Sequence, residues 1–386
     1  MLKNRNSKII KIIIIGIFSL GSVRNFRILP LLSPQDYFII LGFLFVVTKV
    51  KISQYWQSYL FSLGFLLLTI FVMTSYKSLN HSENIINILK VFFTWGVLPL
   101  VIFYTVTSRN LFQFALDASI AGGTFFALIS LINSNSDFHN GREESFSGHP
   151  VFFGIILTLA LVNLPYAYTS YHLKQIFRAT SAVVLGLAIL KTGSGTSVVI
   201  ITLSIILNML LNRRLGTFLK RLLFILIMLP MFIWLWEAPI LSLVKSRVSL
   251  ILNPRVGYSM NSNSGISTLE ARWLSLKYSW SLIRDNPIFG YGLDQAGRIT
   301  SIDLEAHNTL VLAWQSGGIL FAIFFLVIFG YSGFQFFVAM KKGAEFTSVN
   351  ILTSLVVFMS EPLIYERVVV PLFMLTIFHA YKNNSS

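Results

Sequence analysis

The chain has no cysteine. That excludes disulfides, thiolate metal ligands and thiol nucleophiles, and it leaves the compartment open. Charge is scarce as well: Asp, Glu, Lys and Arg make up 12% of the residues, roughly half the share of a soluble domain. Acids are the rarer sign, 15 against 30 basic residues. No His-Glu-x-x-His or Asp-x-Asp run offers a metal site, and no Gly-x-Ser-x-Gly run offers a nucleophile elbow. Gly290-Tyr291-Gly292 is neither a P-loop nor a dinucleotide fingerprint, lacking a preceding strand and a third glycine.

What the chain does have is apolar sequence. Of its 386 residues 55% are hydrophobic, and the mean hydropathy is +0.72. Apolar runs of about 20 residues, the length a bilayer core requires, recur from end to end. The expected fold class is all-α, a polytopic membrane protein. The net charge of +15 lies in short loops, not in a basic stripe interleaved with aromatics. It therefore points to membrane topology and anionic headgroups, with membrane lipids as partners and no nucleic acid.

About twelve transmembrane helices are expected, roughly 9–23, 36–50, 56–75, 86–107, 111–132, 150–168, 177–192, 196–212, 219–237, 308–338, 348–362 and 366–381. The basic start and apolar run of residues 1–23 lack a small-residue cleavage site, so this segment reads as a retained first helix. With a cytoplasmic N-terminus, inner segments hold about 16 basic residues and short outer loops about 6, which places both termini in the cytoplasm. The chain then divides into helices 1–9 over 1–237, a long outer loop over 238–307, and helices 10–12 over 308–386.

The long loop holds most of the close-set polar chemistry. Ser267-Thr268-Leu269-Glu270 has the spacing of a capping box, and Leu269, Trp273, Leu276, Trp280 and Ile283 recur at helical spacing behind it. Asp285-Asn286-Pro287 ends that helix. Two tryptophans on one stripe suit a helix lying at the membrane surface.

Several residues qualify for chemistry, each with two readings. His307 stands where the chain re-enters apolar sequence. It can serve as a base kept neutral by the following helix dipole, or merely cap and snorkel. Glu305 can orient it or be an ordinary loop carboxylate. Asn308 is a good N-cap. Arg272 offers a planar donor fork for phosphate, or a snorkelling cation. Gly290 and Gly292 after Pro287 form a tight turn whose backbone can approach a ligand. Arg142 can contact an anion or pair with Glu143 or Glu144. Lys191, before Gly193-Ser194-Gly195-Thr196, can face a phosphate together with backbone amides, or sit beside a plain hairpin turn. Arginine and histidine on a long outer loop, without a metal cluster, favour group transfer from an anionic lipid. A pyrophosphate leaving group needs only positioning, charge neutralisation and a base.

These residues resemble the O-antigen ligase and polymerase superfamily. The resemblance is carried by Arg272-Trp273, the stretch Asp285-Asn286-Pro287-Ile288-Phe289-Gly290-Tyr291-Gly292, Glu305-Ala306-His307-Asn308-Thr309-Leu310, and Gly317-Gly318. Arg142 with Ser147-Gly148-His149-Pro150 is similar to the family's middle region. Many members have Ser-Arg-Gly where this chain has Ser194-Gly195-Thr196, with Lys191 as the nearest substitute cation.

The resemblance implies a metal-independent, cofactor-free and inverting glycosyltransferase of the bacterial inner membrane. It would move a glycan from an undecaprenyl-pyrophosphate carrier to a hydroxyl on a lipid or glycan acceptor, on the periplasmic face. Arg272 would contact the donor pyrophosphate. His307 would activate the acceptor hydroxyl or steady the leaving phosphate. A polymerase of the same superfamily and a lipid-linked sugar transporter are the competing readings. A transporter predicts paired halves, and no internal repeat is visible.

Overall fold

The computed structural model describes the backbone of residues 2–20, 33–75, 80–132, 138–139, 142–143, 150–166, 171–192, 194–212, 268–293, 308–361, 363–364 and 369–385. Within them the chain is helical apart from one short antiparallel pair. The helices are α1 (Leu2–Ser19), α2 (Pro34–Lys49), α3 (Gln54–Thr74), α4 (His81–Phe92), α5 (Leu98–Thr105), α6 (Arg109–Ile132), α7 (Pro150–Asn163), α8 (Tyr171–Thr192), α9 (Gly195–Asn212), α10 (Thr268–Asp285), α11 (Thr309–Lys341), α12 (Glu345–Ser360) and α13 (Val370–Ser385). Two-residue strands β1 (Phe138–His139) and β2 (Arg142–Glu143) pair between α6 and α7.

A helix stands at every expected span except 219–237, which lies outside the described residues. Among the described residues, five helical stretches are long and apolar enough to cross a membrane: Gln54–Thr74, His81–Thr105, Arg109–Ile132, Gln175–Thr192 and Thr309–Lys341. Four shorter apolar helices accompany them. The outward faces agree with lipid contact. On α3, Phe61, Phe65, Leu68 and Val72 form an exposed stripe, while Leu63, Leu67 and Ile70 are buried against the bundle. This is a multi-pass membrane protein.

Two backbone irregularities shape the bundle. Between α4 and α5, Phe93–Val97 forms a π-turn. Pro99 has no N–H to give the Trp95 carbonyl one turn earlier. The Tyr59 hydroxyl takes that carbonyl at 2.6 Å instead, and the buried Trp95 indole donates to the Ile364 carbonyl at 2.6 Å. Trp95 packs edge-on against Phe325 and tilted against Phe358, so α3, α11, α12 and the segment before α13 meet at one residue.

The second irregularity is in α11. Thirty-three residues of helix would reach about 50 Å, well beyond a bilayer core of about 30 Å. Gly318, at φ 69° and ψ −166°, breaks it into a short first segment and a long second one.

Polar groups inside the bundle are satisfied across helices. Asn163 of α7 and Asn350 of α12 exchange side-chain amide hydrogen bonds at 2.8 Å in both directions. Each Nδ2 also reaches a carbonyl one turn back in its own helix. Interhelical polar pairs in membranes couple by about 0.6 kcal/mol on average and 1.7 at most. Single Asn163→Ala and Asn350→Ala substitutions should therefore each lower stability, while the double variant costs less than their sum by that margin. Thermal unfolding in detergent of the three variants checks this, and strict additivity would show the pair to be uncoupled.

Candidate functional site

The stretch after α10 is fixed through its own backbone groups, which meet both backbone and side-chain partners. Asn286 extends the helix by donating to Leu282, and Pro287 ends it. The chain then turns through Gly290 (φ 70°) and Gly292 (φ 101°). The kink at Gly318 leaves the carbonyls of Gln315 and Ser316 without their usual helical donors. The turn supplies them: Tyr291 N–H donates to Gln315 at 2.9 Å and Gly292 N–H to Ser316 at 2.8 Å, while Ile319 N–H returns a bond to Ile288 at 3.3 Å. The Trp314 indole adds a bond to the Pro287 carbonyl at 2.9 Å.

This explains the glycines. A Cβ on Gly290 would lie 2.5 Å from the Ser316 oxygen, and one on Gly318 would lie 1.9 Å from the Ile288 oxygen. The close approach that Gly290 permits is thus made to the protein's own α11. From the other side, buried Asn84 accepts from Leu293 N–H at 3.0 Å, and Asn87 donates to the Leu293 carbonyl at 2.9 Å. The turn is held between α4 and α11.

Arg272 lies in the first turns of α10, with its side chain 30% exposed. Its guanidinium donates to Glu361 Oε1 at 3.0 Å, and Glu361 is only 1% exposed. The same oxygen accepts from the Thr196 hydroxyl, in the first turn of α9, at 3.0 Å. Glu361 follows the last residue of α12, where the helix dipole disfavours a carboxylate, so the guanidinium offsets an unfavourable position as well as burial. Pro362 keeps Glu361 extended, at φ −139°.

The start of α11 is tied to the same corner. The buried Thr309 hydroxyl donates to the Glu361 carbonyl at 2.7 Å and accepts from Leu363 N–H at 3.0 Å. Asn308 is the N-cap expected from its sequence position: its Oδ1 accepts from Leu310 and Val311 N–H at 3.0 and 3.1 Å, and its Nδ2 donates to the Met359 carbonyl at 3.1 Å. Arg272, Thr196, Asn308, Thr309 and Glu361 therefore converge from four separate helices.

His307 and Glu305 lie outside the described residues, as does Ser267 of the expected capping box. Arg142 pairs with His139 through the short strands, and its side chain is not among those described. Lys191 is buried, and its ammonium donates to the Ser130 carbonyl, in the last turn of α6, at 2.6 Å. The turn beside it is self-capped: Ser194 N–H donates to the Thr192 hydroxyl and Ser197 N–H to the Ser194 hydroxyl, each at 3.3 Å. Trp273 and Trp280 point outward, 67% and 55% exposed, while Ser275, Ser279 and Ile283 form the buried side of α10. Among the described residues no three His, Asp or Glu side chains cluster in a way that could hold a metal ion.

Glu361, Thr309, Asn84 and Asn87 were not legible as site residues. The only signal for Glu361 is a carboxylate beside a proline between two apolar runs. Its partner lies 89 positions away.

Residues 180–326 match a family model described as O-antigen ligase. No curated protein matches the chain. The matched stretch includes Lys191, Thr196, Arg272, the glycine turn, His307, Asn308 and the Gly318 kink, and stops short of Glu361.

Proposed function

We propose, for a chain that belongs to the O-antigen ligase superfamily, a membrane glycosyltransferase that moves a glycan from an undecaprenyl-pyrophosphate carrier to a hydroxyl acceptor. Transfer occurs on the periplasmic face of the inner membrane, where the basic-residue bias puts the ends of α8, α10 and α12 near residues 192, 285 and 360. The observation that carries this reading is the Arg272–Glu361 pair at the start of α11, inside the matched stretch on the arginine side.

Glu361 occupies one side of a guanidinium that is still partly exposed. The remaining N–H donors keep a fixed plane, which suits bidentate contact with a diphosphate. His307, the residue before Asn308, takes the proton from the acceptor hydroxyl. That oxygen attacks the anomeric carbon of the donor sugar, the bond from this carbon to the pyrophosphate oxygen breaks, and undecaprenyl pyrophosphate leaves with inversion. Arg272 neutralises the charge that grows on the leaving group. Arg142 and Glu305 are assigned to donor or acceptor binding on the same face. Lys191, Gly290 and Gly292 support the site through the backbone frame around it.

His307→Ala should lower transfer by about 10²- to 10⁴-fold, the worth of a positioned general base. The check is glycan gel analysis of a deletion strain complemented with wild type or variant. Loss of long chains on the acceptor with accumulation of lipid-linked polymer identifies a ligase, and single-repeat products identify a polymerase. Wild-type glycan profiles from both His307→Ala and Arg272→Ala would refute the assignment.

A further inference from the structure

At the other end of the bundle, the helices part around a cavity of about 550 Å³, within the size range of ligand sites. It lies where α5 gives way to α6, beside the turn at Tyr166 and the facing ends of α12 and α13. Phe346 in the first turn of α12 lines it. Glu361 follows that helix's last residue, about 22 Å away at 1.5 Å per residue. The cavity is therefore separate from the Arg272–Glu361 corner.

Its lining is divided. Arg109, Gln113, Tyr166 and His379 supply the polar part, together with Thr107 and Ser108 at the mouth. Leu116, Leu375 and Phe378 supply an apolar wall. Among the described residues the polar part carries a cation and an imidazole but no carboxylate. Asp117 lies outside the lining, within 3.5 Å of the Gln113 amide. Arg109 is exposed in the first turn of α6, whose Leu111 N–H is capped by the Ser108 hydroxyl. The imidazole is held in place: the His379 ring stacks on Phe112 with centroids 4.2 Å apart, and Phe346 meets it edge-on at 6.0 Å.

A site with a cationic mouth and an apolar wall, set among membrane helices, fits a molecule with an anionic head and a hydrocarbon tail. A free anion would leave the wall dry and unfilled, and a zwitterionic lipid, whose own ammonium offsets its phosphate, would gain less from Arg109 than a lipid with a net negative head. We propose that this cavity binds an anionic phospholipid, its phosphate on Arg109 and His379 and the start of an acyl chain against Leu116 and Phe378. By the expected topology the segments on this side carry about 16 basic residues against about 6 in the short loops opposite, which concentrates anionic lipid at the mouth.

The test uses the full chain in detergent, titrated with short-chain phosphatidylglycerol, short-chain phosphatidylcholine or inorganic phosphate, with binding read by native mass spectrometry and thermal shift. Wild type should bind phosphatidylglycerol at least about tenfold more tightly than phosphatidylcholine, and Arg109→Gln should remove that tenfold, the worth of one charge-assisted hydrogen bond. Arg109→Lys should keep most of it, and Gln113→Glu, which adds a carboxylate to the lining, should weaken binding further. Equal affinity for the two lipids overturns the proposal, as does full binding by Arg109→Gln. Saturation by inorganic phosphate at the same concentrations also overturns it, since that would mean a free-anion site.

Discussion

Arg272→Ala should reduce glycan transfer to about 1% of wild type or less, the scale on which losing a preorganised charge contact to a transition state is felt. Arg272→Lys should retain more, because an ammonium still meets Glu361 but lacks the planar fork that spans two phosphates. Glu361→Gln separates two explanations of the loss. If Glu361 orients the guanidinium, the amide keeps a hydrogen bond to Arg272 but loses the charge that fixes it, so activity falls while the protein stays folded. Stability should move the other way in the paired variants. Arg272→Ala strips a carboxylate that is 1% exposed of its guanidinium and should cost up to about 3 kcal/mol. Adding Glu361→Gln to Arg272→Ala removes the buried charge and should restore part of the melting temperature without restoring activity. A double variant no more stable than Arg272→Ala would show that the carboxylate is adequately held by its other contacts. Wild-type transfer by Arg272→Ala would end the proposed role.

Gly318→Ala should leave little folded protein to recover from membranes. The backbone there has φ 69° and ψ −166°, a region essentially reserved to glycine and costing another residue about 1–3 kcal/mol. The new Cβ would also stand 1.9 Å from a backbone oxygen, which no side-chain rotation relieves. Parting α11 from the 287–292 turn would break three backbone hydrogen bonds at once. Together these put the substitution in the rare class above about 4 kcal/mol. The same helix provides the control: Cβ atoms built on Gly330 and Gly333 meet nothing within 4 Å, so alanine there should be neutral or gain helix propensity. Monodispersity in fluorescence-detected size exclusion compares the three. Gly318→Ala eluting like Gly330→Ala would mean the kink is not needed for folding.

Local features were the legible ones. Apolar run length located the helices, Pro287 located the end of α10, and Asn308 behaved as the cap its position suggested. The orientation of α10 was harder: its stripe of Leu, Trp and Ile divides, with Ile283 buried and Trp273 and Trp280 outward. In a membrane protein an apolar face can serve lipid as readily as a neighbouring helix, and serines can make the packed side. Periodicity alone does not separate those cases. The partners of charged residues were not readable, because Arg272 and Lys191 find theirs 89 and 61 positions away. For Lys191 the sequence left an anion contact and a place beside a plain turn both open, and it could not show the Ser130 carbonyl as a partner. The break in α11 was hidden too, since Gln315-Ser316-Gly317-Gly318 sits inside what reads as one span over 308–338, and only the docking of a distant turn reveals why it bends.

The pairing of Arg272 with a sequestered carboxylate bears on how a substrate arrives. A bare cation projects a field that draws anions from afar and fades as salt is added. A guanidinium already balanced by Glu361 projects little. Under the proposed function, capture of the diphosphate at this corner depends on fit at close range, which suits a carrier delivered by lateral diffusion in the bilayer more than a solute gathered from water.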